Sequence, residues 1–132
     1  MIEKQLVKEY KERPKADSSE KIVELCDDFR DSEREIVMLF LMDVRLRVIR
    51  REVLSIGNLN SSIMCPRELF KRAVLCNASS VIIVHNHPSG DTQPSDEDKK
   101  VTKHLKDAGK ILNLPLTDHI IVTKNSFQQV EA

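Results

Sequence analysis

Two histidines, His85 and His87, directly follow a short apolar run at residues 79–84. The run predicts a buried central strand, and the carboxyl end of a buried strand is where open α/β sheets carry their sites. If the extended backbone continues past the run, both imidazoles point to the same side of the strand. Their ring nitrogens can then reach one ion at about 2.0–2.1 Å each. The alternative is a pair of loop histidines whose hydrogen bonds are satisfied locally, but the spacing favours a metal site.

A carboxylate close to this pair can supply a third ligand. The chain turns sharply after His87 and returns into a predicted helix whose first turn contains Asp98. Two histidines and one carboxylate leave a fourth tetrahedral position for water, which is typical of catalytic zinc. Ser95 and Asp98 are also spaced as a capping box at a helix start. The two roles are compatible because a helix N-terminus carries positive partial charge.

Hydrolysis at such a site also needs a carboxylate that moves protons without binding the metal. Four acidic residues are candidates for this role: Glu35, Asp43, Glu52 and Glu68. Glu52 is favoured because alternation along its predicted strand places it beside Leu54 and Ile56 on the more apolar face. Partial burial there would raise the pKa of its carboxyl group and suit it to proton transfer. An ion pair between Glu52 and Arg50 is the alternative.

The elements that must position these residues alternate between helix and strand. The order predicts α/β architecture, with one mixed sheet and helices packed on it. The predicted helices span residues 18–30, 66–77 and 95–112, and the predicted strands span 36–42, 47–56, 79–84 and 119–122, with a possible return strand after a turn at 124–125.

Length and composition favour one domain with an aliphatic core. The chain has 132 residues, which leaves little room for a second domain, and it contains no Trp, one Tyr and four Phe. We predict a polar arm at residues 1–16, with a short edge strand around Leu6 and Val7, and a domain at 17–132. The 21 basic and 21 acidic residues balance, which argues against a protein that coats nucleic acid.

The sequence also predicts a cytoplasmic protein that does not enter a membrane. No apolar run approaches the length of a membrane span, and the charged N-terminus has no apolar core of a secretory signal. Cys26, Cys65 and Cys76 are odd in number and show no CxxC spacing, which favours reduced, buried thiols.

The spacing of these residues resembles a known signature. Glu52, then His85-Asn86-His87, then Ser95 and Asp98 after seven intervening residues, resembles the JAMM motif of the MPN+ metallopeptidases. The segments REVLSIGNLN, PRELFKRAVLCNASSVIIVHNHPSGDTQPSDED and TDHIIV resemble the bacterial RadC family more closely. The likeness covers about residue 33 to the end, and its HNHPSG core is highly specific.

The resemblance implies a JAMM/MPN-like fold, which is similar to the cytidine-deaminase sandwich, and a Zn²⁺ site. It implies His85, His87 and Asp98 as zinc ligands, Glu52 as general acid and base, and Ser95 as a donor to the oxyanion. Related MPN+ enzymes hydrolyse isopeptide bonds, so the implied reaction is hydrolysis of a peptide or isopeptide amide in a protein or peptide substrate. Asn86 departs from the wider motif, which has Ser or Thr there, although RadC-like chains commonly share the Asn.

Two other functions remain open at this point. RadC proteins carry a DNA-repair label, and a DNA-binding or accessory role would use lysines and arginines of two segments: Lys99, Lys103, Lys106, Lys110, Arg45, Arg47, Arg50 and Arg51. A solvated helix face is the alternative for that lysine row. The longer RadC proteins carry a helix-hairpin-helix region, and we expect none here. A metal-binding module without catalysis is the third hypothesis. His119 is a further candidate for supporting the site, although it is kept outside the predicted catalytic set.

Overall fold

The structure, a computed structural model, describes residues 6–57 and 65–131. Its elements in chain order are β1 (Val7–Glu9), α1 (Ser19–Glu24), β2 (Ile36–Met42), β3 (Val48–Ile56), α2 (Pro66–Leu75), β4 (Ser80–Asn86), α3 (Asp96–Leu112), β5 (Leu116–Val122) and β6 (Phe127–Gln129). Within these residues, no helix is both long and apolar enough to cross a membrane.

One six-stranded mixed sheet organises the fold, in the order β1-β3-β2-β4-β5-β6. Only the β4–β5 pair is parallel among the neighbouring strands of this sheet. Every residue of β2 and β4 is buried. Strands that are buried along their whole length form where both faces of a sheet are covered. The predicted α/β class with a single mixed sheet is confirmed, and the fold is consistent with the JAB/MPN type.

Two aliphatic cores flank the sheet. One contains α1 residues Ile22 and Val23 with one face of the strands. The other contains residues of α2 and α3, among them Leu69 and Leu105, with the opposite face. Helices therefore cover both faces, and α3 lies on the same face as α2. β1 pairs with β3 at the sheet edge, where a short strand was expected.

Several predicted boundaries are wrong; β5, for example, begins at Leu116 rather than at residue 119. α1 ends at Glu24 rather than at Arg30, and the Leu25 carbonyl accepts a hydrogen bond from the Arg51 side chain at 2.9 Å. β4 ends at Asn86 rather than at residue 84. Its ladder continues through the histidine segment because the strands on both sides pair with it there: Val37 of β2 lies opposite His85, and β5 pairs as far as Asn86.

The alternation predicted for β3 is interrupted by a register shift against β2, between Val37 and Met38. Such a shift lets one strand carry an extra residue and changes which face its side chains meet. Leu54 packs with the α2 and α3 core, whereas Ile56 packs with the α1 core. The expectation that these two residues share a face with Glu52 is therefore wrong for Ile56.

The turn between β2 and β3 forms without glycine. Leu46 adopts the left-handed conformation there, with φ of 61°. Asp43 stabilises the turn, because its Oδ1 accepts hydrogen bonds from the backbone N–H groups of Arg45 at 2.9 Å and Arg47 at 3.0 Å. Its Oδ2 accepts from the Arg13 guanidinium at 3.1 Å. Asp43 thus has a structural role in this turn.

The three cysteines form no disulfide in the described part of the chain. Cys26 is buried, as predicted, and burial raises the pKa of its thiol. Cys65 and Cys76 are half-buried, so the expectation of burial is confirmed only for Cys26.

Gly109 marks a close approach between α3 and the chain that follows it. The Leu114 N–H donates to the Gly109 carbonyl at 2.9 Å, and a Cβ on Gly109 would lie 2.5 Å from the Leu114 carbonyl oxygen. We expect Gly109→Ala to lower the free energy of unfolding by about 1–3 kcal/mol, the usual range for overpacking. Urea denaturation measures this, with Lys110→Ala as an exposed control. A Gly109→Ala variant as stable as the parent would show that the backbone here can move.

Candidate metal centre

His85 and His87 converge as their spacing predicts. His85 lies inside β4 and is fully buried, whereas His87 follows the strand end and its side chain is 17% exposed. The two Nε2 atoms are 3.0 Å apart. Nδ1 of His87 lies 2.8 Å from the Asp91 carbonyl oxygen. A carbonyl only accepts, so this contact places the His87 proton on Nδ1 and leaves a lone pair on Nε2.

Asp98 completes a cluster of three donors. Its carboxylate lies 3.2 Å from Nε2 of His85 through Oδ1, and 3.3 Å from Nε2 of His87 through Oδ2. The side chain is only 3% exposed. Asp98 reaches this position because it stands in the first turn of α3, which begins just beyond the carboxyl end of β4.

The capping box expected at this helix start is present. Ser95 Oγ accepts from the Asp98 N–H at 3.0 Å, and Oδ2 of Asp98 accepts from the Ser95 N–H at 2.8 Å. The cap therefore fixes the carboxylate that faces the histidines. Ser95 itself is exposed to solvent beside the cluster.

The donor set fits a zinc ion. A tetrahedral site with bonds of about 2.0–2.1 Å places neighbouring ligand atoms about 3.3 Å apart. The three contacts among His85, His87 and Asp98 span 3.0–3.3 Å. Two neutral imidazoles and one carboxylate are also ligands that zinc accepts.

Among the four acidic candidates for proton transfer, Glu35 is the one that the structure brings to the histidines. Its Oε1 lies 3.7 Å from Nε2 of His85, and Glu35, His85 and His87 offer potential ligand atoms within 4.8 Å of one another. Glu35 immediately precedes β2, two residues before Val37, which pairs with His85. Strand alternation therefore directs its side chain toward the face that carries His85.

Glu52 does not join this cluster. Its carboxylate forms ion pairs with Arg50 at 3.1 Å and Arg72 at 3.6 Å. Glu52 pairs with Leu39, which pairs with Ile83. That register separates Glu52 from His85 by two strand spacings of about 4.8 Å and two residues of about 3.3 Å. Glu52 therefore forms the ion pair with Arg50 that was the alternative to a catalytic role. The geometry does not support the sequence-based preference for Glu52 over Glu35. Glu68 is exposed in the first turn of α2.

Asn86 holds the segment that carries Glu35. Its side chain is fully buried. Oδ1 accepts from the Ile36 N–H at 2.6 Å, and Nδ2 donates to the carbonyls of Ser32 at 3.1 Å and Arg34 at 2.9 Å. These bonds bracket Glu35 on both sides. One hydroxyl group offers a single donor proton, so a serine could not reproduce both donations.

We expect Asn86→Ala to lower the free energy of unfolding by about 1–3 kcal/mol, because it leaves the buried Ile36 N–H and two part-buried carbonyls without their partner. Asn86→Asp keeps the acceptor for the Ile36 N–H and loses both donated hydrogen bonds. Its stability therefore distinguishes the contribution of the accepted bond from that of the two donated bonds. Thermal or urea unfolding of the parent and both variants measures the effect. If Asn86→Ala has the same free energy of unfolding as the parent, the hydrogen bonds of Asn86 make no net contribution to stability.

His119 lies behind His85 in the buried interior. It is on β5, beside Ile83 of β4, and is 1% exposed. Its Nε2 lies 2.8 Å from Nδ1 of His85, and its Nδ1 lies 2.5 Å from Oγ1 of Thr102. Burial, with the neighbouring His85 as the next cause, lowers the pKa of His119 well below its usual value. From the sequence alone, His119 is left outside the catalytic set because such a histidine more often begins a strand and bonds locally. The structure instead brings it to His85 through the β4–β5 pairing.

The cluster shifts the titration of two of its members. Burial alone would raise the pKa of Asp98, but hydrogen bonds with His85 and His87 lower it below its ordinary value. The hydrogen bond to Asp98 raises the pKa of His87 against the opposing effect of burial. A protonated His87 therefore stabilises the metal-free cluster.

We expect two opposite pH trends from His87. Its pKa is raised on folding, so its contribution to metal-free stability is present below about pH 6.5 and is lost as pH rises through the folded pKa. Zinc must displace the same proton, so below that pKa zinc affinity should fall by about tenfold per pH unit. Urea unfolding and chelator competition across pH 5–9 measure both trends. Persistence of both trends in His87→Gln would assign them to other groups.

Comparisons with known proteins identify the family of this chain. Residues 16–131 match the sequence profile of the RadC-like JAB domain. The chain belongs to the RadC-like JAB domain family. This RadC-like chain is similar to UPF0758 proteins, a name that states no activity. It is 44% identical to the one from Thermotoga maritima over 125 residues, 94% of this chain and 56% of the relative.

Two further UPF0758 relatives are also matched over about half of their length. The Desulforamulus reducens protein is 47% identical over 108 residues, 82% of the RadC-like chain and 48% of the relative. The Shouchella clausii protein is 46% identical over 116 residues, 87% of the chain and 50% of the relative. The RadC-like chain thus spans about half the length of these relatives, and the resemblance found in the sequence is confirmed.

Proposed function

We propose that this RadC-like domain is a zinc-dependent hydrolase that cleaves peptide or isopeptide amide bonds. His85, His87 and Asp98 would hold the metal, Glu35 would carry protons, and Ser95 would donate a hydrogen bond to the substrate oxygen. Glu35 replaces Glu52 in this assignment. The observation that carries the proposal is the convergence of three zinc-type donors with a carboxylate beside them that belongs to another element.

A zinc ion supplies Lewis acidity, which polarises a carbonyl group and lowers the pKa of water. Glu35 is placed to do the proton chemistry that remains. It takes a proton as the water oxygen bonds to the scissile carbonyl carbon. It then gives that proton to the amine nitrogen as the carbon–nitrogen bond breaks. Its side chain is 16% exposed, so it lies at the margin where a substrate can reach it.

Ser95 can serve both the helix and the substrate. The cap uses a lone pair of its hydroxyl oxygen, because Asp98 N–H is the donor in that bond. The hydroxyl hydrogen remains able to donate to an oxygen that gains negative charge during the reaction. Because Ser95 is exposed, a substrate carbonyl can approach it.

The alternative assignment of the cluster makes Glu35 a metal ligand. Its distance of 3.7 Å from His85 exceeds the 3.2 Å separating Asp98 from the same nitrogen. The shorter contacts favour Asp98 as the third ligand. Four protein ligands would give a closed site, which is typical of structural zinc, and would support a metal-binding module without catalysis.

Metal content and hydrolysis should be measured on the same protein, purified without chelator. The zinc-loaded chain is incubated with a linear peptide library and with a library of peptides joined through lysine side chains. Mass spectrometry then distinguishes new α-amines from new ε-amines. Cleavage that depends on zinc supports the proposal. Stoichiometric zinc without cleavage of either library would instead favour a metal-binding module.

DNA contact remains a prediction, as does a cytoplasmic location. Of the arginines considered for it, Arg47 pairs with Asp43 at 3.0 Å and Arg50 pairs with Glu9 at 3.2 Å. Arg51 is buried against Asp28. On α3, Lys103 pairs with Asp107. These pairs reduce the positive field that a phosphate backbone would meet.

A further inference from the structure

We infer that His119 is a positioning residue that holds the His85 proton on Nδ1 and so keeps the Nε2 lone pair directed at the metal. This inference rests on the proposed metal site. It concerns a chain of hydrogen bonds that runs behind the ligands, from Thr102 through His119 to His85.

The series of hydrogen bonds begins on α3. Thr102 stands one helical turn after Asp98 and is fully buried. Its Oγ1 donates to the Asp98 carbonyl at 2.8 Å. A hydroxyl group has a single proton, so toward Nδ1 of His119 the same oxygen acts as an acceptor. That contact therefore places the His119 proton on Nδ1.

The next step follows from the chemistry of a neutral imidazole. With its proton on Nδ1, His119 presents a lone pair at Nε2, 2.8 Å from Nδ1 of His85. His85 must then donate from Nδ1, which leaves its own Nε2 unprotonated. That Nε2 is the atom facing His87 and Asp98.

If the hydrogen bonds ran in the opposite direction, His85 could not bind a metal ion through Nε2. If Thr102 donated to His119, and His119 donated to His85, the proton of a neutral His85 would reside on Nε2. A protonated Nε2 has no lone pair for a metal ion. The tautomer of His119 therefore decides whether Nε2 of His85 can bind a metal ion, although His119 is not itself a ligand. Hydrogen-bond partners of metal ligands commonly act in this way.

The two ligand histidines are thus oriented by different partners. His87 donates to the Asp91 carbonyl, whose role as acceptor is fixed. His85 donates to another imidazole, whose role depends on Thr102. The same helix, α3, supplies Asp98 to the metal site and Thr102 to the hydrogen bonds behind it. The placement of α3 therefore fixes both the carboxylate ligand and the partner of His119.

The direct test is nitrogen-15 NMR of the zinc-loaded protein, which identifies the protonated nitrogen of each imidazole. We expect His119 to carry its proton on Nδ1, and Thr102→Val to convert His119 to a mixture of tautomers. A zinc-loaded parent in which His119 is protonated on Nε2 would overturn the inference, because that nitrogen could not accept from His85. Packing alone would not select one tautomer.

Zinc affinity supplies a second measurement, by chelator competition with His119→Leu and His119→Gln. Leucine removes the acceptor, and we expect a loss of about 10–100-fold in zinc affinity, typical of such partners. Glutamine offers a carbonyl oxygen near the position of Nε2 and should restore most of the affinity. His104→Leu, on the exposed side of α3, is the control.

The outcomes separate this inference from the proposed function. Parent affinity in His119→Leu overturns the inference alone. A zinc-binding parent that cleaves no amide contradicts the proposed reaction and leaves the inference standing. A parent that binds no zinc overturns both. If His119→Leu fails to fold by circular dichroism, the tautomer measured in the parent still decides.

Discussion

Replacing Glu35 by glutamine is expected to lower amide hydrolysis by about 10²–10⁴-fold, the usual contribution of a general acid and base. Zinc content should stay at the parent level, because His85, His87 and Asp98 remain. Glutamine keeps the size of the side chain and removes its ability to take a proton. Turnover of the peptide libraries and zinc content by mass spectrometry give the two readouts.

Glu52→Gln is the matched control for Glu35→Gln, since Glu52 pairs with Arg50 and Arg72 away from the cluster. It should hydrolyse at nearly the parent rate. Loss of zinc from Glu35→Gln would make Glu35 a ligand. Loss of turnover in Glu52→Gln, with Glu35→Gln unaffected, would restore the assignment that the sequence favoured.

Replacing His87 by alanine is expected to weaken zinc binding by more than about 100-fold, since even lost partners of ligands cost about 10–100-fold. The variant removes one of three donors, and Asp98 keeps only His85 among the two imidazoles. Because His87 lies at the solvent edge of the cluster, the fold should survive the change. Isothermal titration with zinc measures the loss.

His104→Ala provides the comparison for His87→Ala, because this histidine is exposed on α3. It should bind zinc as the parent does. Equal zinc affinity in His87→Ala and the parent would remove His87 from the ligand set. Unfolding of His87→Ala in the absence of metal would show that the residue is needed for packing.

The convergence of His85, His87 and Asp98 could be predicted because its signals are local. His85 and His87 are two positions apart on one strand, and Ser95 and Asp98 are three apart at a helix start. Each spacing fixes a geometry through the strand or helix period alone. Only the placement of the helix start beside the strand end had to come from the fold.

Glu35 could not be selected in the same way. It stands fifty residues before His85, and its position depends on β2 being the antiparallel neighbour of β4. The sequence favours Glu52 because alternation along one strand is the only criterion that it offers. That criterion ignored both Arg72, which reaches Glu52 from α2, and the register shift in the β2–β3 pair.

His119 illustrates the same limit. Its imidazole meets His85 because β4 and β5 are parallel neighbours, and it meets Thr102 because α3 covers that face of the sheet. Neither neighbour relation has a signature in the residues around His119. Conversely, the wholly apolar run of β2 identified a strand covered on both faces, since burial of every side chain leaves a direct trace in the sequence.

A crystal structure of the zinc-loaded protein, with anomalous scattering recorded at the zinc edge, would identify the metal ligands directly. We expect one anomalous peak within about 2.0–2.2 Å of Nε2 of His85, Nε2 of His87 and an oxygen of Asp98, with Glu35 adjacent but not ligating. A peak bound by Glu35 in place of Asp98, or no peak at this position, would contradict this expectation.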